Sequence, residues 1–403
     1  MFDYPNKIDT IFDKLSKYNI RPIIVGGYIR DKILQIDSKD IDIEVYGLDS
    51  LSTLEDILKE FGHINMVGKS FGVCKLFFKG LDLDFSLPRT DSKISSGHRG
   101  FKITTDKNLD FTSAAERRDF RINAMGYDVL NKVFLDPYDG LEDIKNKILN
   151  AVNIDKFAED PLRVLRGIQF SSRFHFSLDS ELFTLFKTLV ANNILQELPR
   201  ERIYEELKKM FLKSSSPSIG LKLLEQLKLL DYFGFTQKYK SVDYFAMHKT
   251  ADDKTDMLIF LSLLYTKESY HLLDKLTNKQ TLLNDLSLFL EVQENFDIHD
   301  NSNYALYSLA NKLNIKIFLL YMDAYYIGGK KEQITKLREK AIALKVLNQK
   351  LPALLQGKEL ITFGLAPSKK FSLILEKAYE AQMKGVFNTL KGALKWLEAY
   401  LGS

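Results

Sequence analysis

Residues 23–44 read IIVGGYIRDKILQIDSKDIDIE, and this stretch decides the fold of the N-terminal part. It predicts a strand, a helix and a second strand, over 21–25, 28–35 and 40–46. A strand that runs into Gly26-Gly27 and then a helix lets backbone N–H groups approach a phosphate closely. Arg30, one turn into that helix, would add a charge-assisted contact to the same anion. Alone, a Gly-Gly turn is weak evidence, since most are simply turns.

Two aspartates alternate on the second predicted strand. Asp40 and Asp42 are separated by one residue, so their side chains project from the same face. Two carboxylates this close repel each other unless a cation lies between them, and a ligand set made only of oxygen favours Mg²⁺. The common alternative for a lone Asp-x-Asp is an exposed strand with an acidic face. The glycine turn and Arg30 upstream favour the metal site.

The glycine turn and the two carboxylates together predict nucleotidyl transfer. Two metal ions about 3.5–4 Å apart would hold an in-line displacement at a triphosphate. A third carboxylate on a neighbouring strand would complete the site, and Asp84 is the best candidate. Glu44 and Asp82 are less favoured, and either could be only solvated.

The rest of the chain changes from mixed to helical patterning. A hairpin turned at Gly80 is predicted over 73–78 and 81–87, and a last short strand over 133–135. Beyond Gly140, apolar residues recur at helical spacing without strand alternation. We therefore expect an α+β protein, with a small β-sheet in a mixed N-terminal head. The expected parts are head, helical neck, helical body and basic helical tail, at 1–138, 139–215, 216–325 and 326–403.

Composition limits the class of protein. The chain has 403 residues, 45% hydrophobic and 27% charged, which favours several packed units over disorder. The one cysteine, Cys74, excludes an internal disulfide framework and a Cys-based zinc site. The N-terminus lacks a signal pattern and the apolar runs are too short for a bilayer span, so we expect a cytosolic protein with no membrane partner.

Charge is unevenly distributed along the chain. Residues 301–403 carry 16 Lys and Arg against 7 Asp and Glu, whereas the whole chain has a net charge of +4. This excess favours a polyanionic partner at the C-terminal end. A Lys-rich solvated helical surface is the alternative.

Five segments in order resemble the class II tRNA nucleotidyltransferases, the CCA-adding enzymes, which share a head with bacterial poly(A) polymerases. The segments are VGGYIRD with DID at 25–42, PRTDSKISSGHRGF at 88–101, RRDFRINA at 117–124, DPYDGLEDI at 136–144 and EDPLRVLR at 159–166. A further helix, RERIYEEL at 200–207, looks like the motif that supports the nucleotide pocket. The likeness is strong over about 23–212 and weaker beyond, and it implies a polymerase-β-like nucleotidyltransferase head.

The resemblance implies roles for residues of these motifs. Asp40 and Asp42 would bind Mg²⁺, and Arg118 would reach the sugar or phosphates of the nucleotide. Asp119 and Asn123 would shape the same corner of the head. The implied nucleotide-binding residues of the head are Gly26, Gly27, Arg30, Arg118, Asp119 and Asn123. Without its place in the ordered set, the segment 117–119 would be taken for a surface ion pair.

Asp160, Arg163 and Arg166 would share one side of a helix, and the resemblance implies that this side reads the base. An Asp acceptor beside an Arg donor complements the amine and ring nitrogen that cytosine and adenine share. Guanine or uracil would leave buried groups unsatisfied, at about 1–3 kcal/mol each. Asp160 before Pro161 is also a good N-cap, so the alternative is that Asp160 caps the start of the helix and does not read the base. Gln169 stands where the family often has Arg.

Two further regions resemble parts of the family. The segment 89–99 looks like the flexible element that helps the site change from cytosine to adenine. The region 354–401 is similar to the tails of relatives and is expected to hold the acceptor and TΨC arms of tRNA. Trp396 in it is expected to be a core anchor rather than a base-stacking platform.

The implied activity is Mg²⁺-dependent addition of C, C and A to tRNA 3′ ends from CTP and ATP, with release of pyrophosphate. An A-only adding tRNA nucleotidyltransferase and a poly(A) polymerase are the enzymatic alternatives. A non-catalytic RNA-binding protein on the same head is the alternative from a different class.

Overall fold

The computed structural model describes residues 2–65, 72–93, 101–250 and 252–402. The chain divides into two compact units, Met1–Met210 with Lys222–Leu227, and Phe211–Leu221 with Lys228–Ser403. The first unit contains strands and helices, and the described part of the second is helical. The predicted α+β class with a helical remainder is therefore confirmed. The finer division at 138, 215 and 325 stays a prediction.

The strands all lie in the first unit, as far as the chain is described. In chain order they are β1 (Arg21–Val25), β2 (Asp40–Tyr46), β3 (Ile64–Asn65), β4 (Val73–Phe78), β5 (Leu81–Ser86), β6 (Arg89–Lys93), β7 (Phe101–Thr105), β8 (Gly126–Asp128), β9 (Val133–Leu135), β10 (Ile148–Leu149) and β11 (Ser177–Leu178). The main sheet of the described residues has the order β3-β4-β5-β2-β1-β8-β9. Within it β2 runs parallel to β5, while β1 is antiparallel to β2 and β8.

Helices occur in both units of the described chain. In chain order they are α1 (Asp9–Lys17), α2 (Gly27–Ile33), α3 (Leu51–Leu58), α4 (Phe111–Ala115), α5 (Gly140–Asn146), α6 (Ile154–Phe157), α7 (Leu162–Phe174), α8 (Ser180–Ala191), α9 (Arg200–Lys213), α10 (Ser218–Gln226), α11 (Leu229–Phe233), α12 (Tyr239–Ala246), α13 (Asp253–Leu264), α14 (Gln280–Asn295), α15 (Asn303–Lys312), α16 (Ile315–Tyr325), α17 (Lys331–Ala343), α18 (Gly357–Thr362), α19 (Lys369–Met383) and α20 (Leu390–Gly402). In the described ranges, no helix has the length and apolar character that crossing a membrane requires.

The two faces of the main sheet differ because side chains alternate along each strand. Ile41 and Ile43 of β2, with Leu83 and Phe85 of β5, are buried in one core with residues of α1, α2 and α3. Burying a side chain of this kind contributes about 1.5–3 kcal/mol, so the core fixes the register of both strands. The aspartates between these residues consequently lie on the opposite face.

The predicted strands agree closely with the observed ones. The ranges 21–25, 40–46, 73–78 and 133–135 match, and the predicted 81–87 ends one residue earlier in the structure. Arg89–Lys93 of the predicted flexible segment 89–99 is not a loop but a strand that pairs with β7, while its flexibility stays a prediction. Its polar sequence hid a strand that the partner strand stabilises. Ser95, Ser96 and Gly97 of that prediction lie outside the described residues.

Some short strands were not predicted, because they are too short to show an alternation of apolar and polar residues. β3 and β8 have only two and three residues, and β10 pairs with β11 within the part predicted to be all helical. Each depends on a partner strand elsewhere along the chain, so local periodicity carries no signal for it.

The second unit contains a small core near its C-terminus, formed by α18, α19 and α20. Leu360, Ala378 and Leu397 are buried in it. Trp396 packs against this core while remaining half-buried, and its ring stacks on Tyr400 with centroids 4.9 Å apart. Trp396 therefore packs at the rim of a core, which agrees with the predicted anchoring role.

Candidate active site

Two rows of paired residues cross β4, β5 and β2 on the face opposite the core. From β4 to β2, the rows are Lys75, Asp84 and Asp42, and Phe77, Asp82 and Asp40. Paired residues on neighbouring strands share a face, and the strands are about 4.8 Å apart. Both rows line a cleft of about 880 Å³, which His63 also lines. The predicted carboxylates Asp40, Asp42 and Asp84 are thus brought together.

The electrostatics of the cleft suit a cation. Burial within the surrounding protein raises the pKa of Asp42, although its carboxylate can be reached from the cleft. The Arg118 guanidinium opposes the rise, and the charges of Asp84 and Glu44 add to it. The Lys75 ammonium donates a hydrogen bond to Asp84. Positive charge is therefore favoured at this carboxylate cluster.

The donor atoms of the three aspartates suit a divalent metal, but the aspartates do not enclose one. Asp40, Asp42 and Asp84 offer only oxygen atoms, the ligands that hard divalent cations prefer. Among the described residues, no three His, Cys, Asp or Glu side chains are close enough to enclose an ion. The three aspartates are neighbours on an open sheet face, on which the remaining ligands would come from solvent or substrate.

Gly26 lies between Arg118 and Asp42 and has no room for a side chain. Its φ is +72°, and a Cβ atom there would be 2.6 Å from Arg118 Nη1 and 3.4 Å from Asp42 Oδ2. The backbone conformation therefore favours glycine, and any side chain here would have to displace the Arg118 guanidinium. At Gly27 a Cβ atom would be at an ordinary 3.5 Å from Arg30 Nη2, so sterics do not require glycine there.

Glu44 is not solvated, contrary to the alternative kept for it from the sequence. It is fully buried and accepts hydrogen bonds from Arg117 at 2.5 Å, Arg118 at 3.2 Å and Tyr46 at 3.0 Å. Burial acts to raise the pKa of Glu44, but the charges of Arg118 and Arg117 outweigh it, so the pKa is lowered. Glu44 therefore holds Arg118 beside Gly26.

The alternative of a surface ion pair for 117–119 is also wrong. The side chains of Arg117 and Arg118 are only 17% and 15% exposed, and their partner is the buried Glu44. The signal that sequence reasoning missed is positional, because Glu44 follows Asp40 and Asp42 on the same strand face. Glu44 is the third carboxylate in this series, and because it is buried it needs positively charged partners.

The observed partners of the Arg30 guanidinium are other side chains of the protein. It is buried, and its guanidinium donates to Asp31 Oδ1 at 2.6–2.8 Å and to Asn123 Oδ1 at 2.6 Å. It also lies over the rings of Phe170 and Phe174, with its central carbon 5.1 and 4.7 Å from their centroids. The observed arrangement ties α2 to α7, and a contact of Arg30 with a triphosphate stays a prediction.

Asn123 and Asp119 continue this network to Arg166. Asn123 Nδ2 donates to Asp119 Oδ1 at 2.9 Å, and Arg166 Nε donates to Asp119 Oδ2 at 2.6 Å. Burial acts to raise the pKa of Asp119, but the charge of Arg166 and its hydrogen bonds outweigh it and lower the pKa. Four predicted site residues, Arg30, Asn123, Asp119 and Arg166, thus form one continuous chain of hydrogen bonds.

Asp160 and Arg163, at the start of α7, contact other groups of the protein. Asp160 Oδ1 accepts from the Leu162 N–H at 3.0 Å, which is the capping role kept as an alternative. Arg163 donates to the backbone carbonyls of Lys156 at 3.0 Å and Arg117 at 2.9 Å. Asp160 Oδ2 also lies 3.9 Å from Arg202 Nη2 on α9, so the motif at 200–207 contacts the predicted base-reading helix.

Gln169, which stands where the family often has Arg, points into the protein. It is buried, and its Nε2 has no hydrogen-bond partner within the described ranges.

Comparison with known families agrees with this geometry. Residues 23–150 match the family model described as the poly A polymerase head domain. A second model, described as the probable RNA- and SrmB-binding site of polymerase A, matches residues 175–235. The Asp-x-Asp strand, Gly26 and Arg118 all lie within the head domain so defined.

Relatives in sequence are named as CCA enzymes. The multifunctional CCA protein of Aliivibrio salmonicida is 35% identical over 206 residues, which cover 50% of this chain and 48% of that protein. The CCA-adding enzyme of Francisella tularensis subsp. tularensis is 35% identical over 210 residues, 51% of this chain and 56% of that protein. The chain therefore spans about half the length of the curated relatives it matches.

Similarity of structure extends over almost the whole chain. The Bacillus stearothermophilus CCA-adding enzyme in complex with CTP superposes with a TM-score of 0.77 at 20% identity, covering 98% of this chain and 97% of that one. The Thermotoga maritima CCA-adding enzyme complexed with tRNA gives 0.67 at 23% identity, covering 99% and 96%. These likenesses show the fold, and the predicted resemblance to CCA-adding enzymes is confirmed.

Proposed function

We propose that this protein adds the CCA sequence to tRNA 3′ ends without a nucleic-acid template, using CTP and ATP and releasing pyrophosphate. The observation that carries the proposal is the arrangement around Asp42. Gly26 and Arg118 lie on one side of it, and Asp84 lies on the other. In an in-line displacement the attacking hydroxyl and the departing pyrophosphate lie on opposite sides of the phosphorus, and metal ions held at this carboxylate cluster would contact both.

Arg118 is proposed to bind the triphosphate or the sugar. Glu44 holds its guanidinium, and the glycine at position 26 leaves space beside it. A fixed cation at this point would orient the phosphates and offset the charge that develops on the departing pyrophosphate.

Asp40 and Asp42 are proposed to hold Mg²⁺, with Asp84 as the third carboxylate. The head-domain family is one of nucleotidyltransferases that use divalent metals, and the all-oxygen donor set favours Mg²⁺ within that class. When bound, the ions would lower the pKa of the attacking hydroxyl and neutralise phosphate charge. Asp84 is proposed to complete the carboxylate site beside Asp42, its neighbour across the strands.

Base selection is proposed for the start of α7, with Asp160, Arg163 and Arg166. Their observed partners lie within the protein, so reading a base would require Asp160 Oδ2 and an arginine N–H to face the nucleotide together. The proximity of Arg202 to Asp160 and the firm hold of Asp119 on Arg166 support a preorganised pair.

The partner is proposed to be tRNA, held through its acceptor and TΨC arms by the basic C-terminal region. Lysines of α19 and α20 supply charge there, and a small core formed by these helices gives them a rigid base. Contacts with phosphates would make binding strongly dependent on salt.

The deciding experiment is terminal addition by the purified protein. tRNA transcripts that end before CC, after the first C and after CC are each incubated with one nucleoside triphosphate at a time and Mg²⁺. CCA addition predicts CTP incorporation on the first two transcripts and ATP incorporation on the third. Incorporation of ATP alone would identify an A-only adding enzyme, long A tracts a poly(A) polymerase, and binding without incorporation a non-catalytic protein.

A further inference from the structure

Phe77 is an exposed aromatic residue near the C-terminal end of β4, a strand of the main sheet. It is 65% exposed, although Leu76 and Phe78 on either side are buried in the core. It lies on the carboxylate face and lines the cleft with Asp40 and Asp82. The proposed metal site and the proposed triphosphate site at Gly26 and Arg118 do not use Phe77.

The position of Phe77 relative to the carboxylates is set by register. Phe77 pairs with Asp82, which pairs with Asp40. Two strand spacings therefore separate the backbone positions of Phe77 and Asp40, about 10 Å in all. Gly26, at the end of β1, lies on the other side of β2. The aromatic ring and the proposed triphosphate position thus flank the aspartates from opposite sides.

The chemistry around Phe77 favours an uncharged base over a phosphate. Asp82 is its direct neighbour across the strands, and this carboxylate would repel a phosphate while accepting a hydrogen bond from a ribose hydroxyl or a base amine. Lys75, two residues along the same strand and 52% exposed, offers positive charge one row away. A flat ring with a cation nearby is the usual means of holding single-stranded nucleic acid.

We propose that Phe77 is a stacking platform for the terminal base of the RNA acceptor strand, the strand whose 3′ hydroxyl receives the new nucleotide. The inference rests on the proposed function and adds to it the subsite for the second substrate. The base would lie on the ring, and the ribose would extend over Asp82 and Asp84 towards Asp42. The incoming nucleotide would occupy the side of Gly26 and Arg118.

The test uses the full-length protein with separate measurements for each substrate. Phe77→Ala should raise the KM for a tRNA transcript about tenfold or more, as expected for loss of one base stack, while the KM for CTP stays within about twofold. Phe77→Trp should retain tight RNA binding, and Phe77→Leu, which keeps apolar volume, should resemble Phe77→Ala. Tyr18→Ala is the matched control, because Tyr18 is an exposed aromatic residue of the head, 55% exposed, that does not line the cleft.

A direct measurement complements the kinetics. A transcript with 2-aminopurine as its last base should lose fluorescence on binding the wild type, because stacking quenches this base. Phe77→Ala should bind without that loss, whereas Tyr18→Ala should show it in full. Since Phe77 is largely exposed, its replacement should leave the thermal midpoint of unfolding nearly unchanged. If the alanine variant fails to fold, Phe77→Leu replaces it in both measurements.

The outcomes separate this inference from the proposed function. An unchanged RNA KM together with unchanged quenching in Phe77→Ala overturns the inference while CCA addition stands. A rise in the KM for CTP instead would assign the ring to the incoming nucleotide and also overturn it. A wild type that quenches 2-aminopurine but extends no transcript would contradict the proposed activity and leave the stacking site supported.

Discussion

The guanidinium of Arg118 occupies the space in which any side chain at position 26 would begin. A Cβ atom at Gly26 would be only 2.6 Å from Arg118 Nη1, and Glu44 holds the same guanidinium from the other side. Because Asp42 is also within 3.4 Å of that Cβ position, one glycine connects the proposed phosphate and metal sites.

Gly26→Ala is therefore expected to displace Arg118 and weaken nucleotide binding. Gly26 has a φ of +72° and a ψ of −134°, a conformation that costs a non-glycine residue about 1–3 kcal/mol, so the free energy of unfolding should fall by about that amount. The KM for CTP and for ATP should rise. Gly80→Ala is the control, because Gly80 has a φ of +81° but open space around it. Equal KM values for the two variants would contradict the role of the Gly26–Arg118 contact.

Asp42→Asn is expected to abolish nucleotide incorporation, by a factor on the order of 10³ or more, while tRNA affinity is retained. Because the pKa of Asp42 is raised in the folded protein, its ionised form opposes folding at neutral pH. The variant should consequently be no less stable than the wild type to chemical denaturant. Mg²⁺ should raise the thermal midpoint of the wild type more than that of the variant.

Asp56→Asn provides the comparison for that experiment, since Asp56 is an exposed residue of α3 with a 73% exposed side chain. It should change neither incorporation nor the response to Mg²⁺. Equal loss of tRNA binding and incorporation in Asp42→Asn would assign Asp42 a structural role.

Glu44→Gln is expected to destabilise the head, because it leaves the positive charges of Arg117 and Arg118 without their buried partner. Removing one member of a buried ion pair typically costs about 3–5 kcal/mol. Release of Arg118 should also raise the KM for CTP. Glu60→Gln, which removes only an exposed pair with Lys14, should cost about 1 kcal/mol or less.

The same variant predicts a pH dependence. The pKa of Glu44 is lowered in the folded protein, so its contribution to stability is present above the ordinary glutamate pKa of about 4.3. The contribution is lost as the pH falls through the lowered value. Denaturant unfolding between about pH 6 and pH 2 should show the wild type and Glu44→Gln converging in stability as acid is added. A gap that stays constant with pH would exclude ionised Glu44 as its cause.

Asp160 allows its two proposed roles to be separated. Asp160→Ala should lower the free energy of unfolding by about 0.5–2 kcal/mol through loss of the cap on α7. It should also relax discrimination against UTP and GTP. Asp160→Ser restores a capping oxygen on a shorter side chain, so it should recover stability without recovering selectivity. Unchanged selectivity in the alanine variant would refute base reading by Asp160 and leave capping as its role.

The local geometry of the proposed metal site could be predicted from sequence. Alternation along a strand depends only on neighbouring residues, which is why Asp40 and Asp42 were placed on one face and why the ranges 21–25 and 40–46 match the structure. The hairpin that carries Asp84 was predictable for the same reason, since Gly80 marks a turn between two apolar runs.

The amino-acid order by itself thus determined the strands β1, β2, β4, β5 and β9, the carboxylate face and the proposed class of chemistry. Only the tertiary structure decided that Glu44 is buried against arginines 73 and 74 residues away, and that Arg30, Asn123, Asp119 and Arg166 form one network. Such pairings depend on which strands become neighbours in the sheet, and that order is selected by the burial of the whole core rather than by any local pattern.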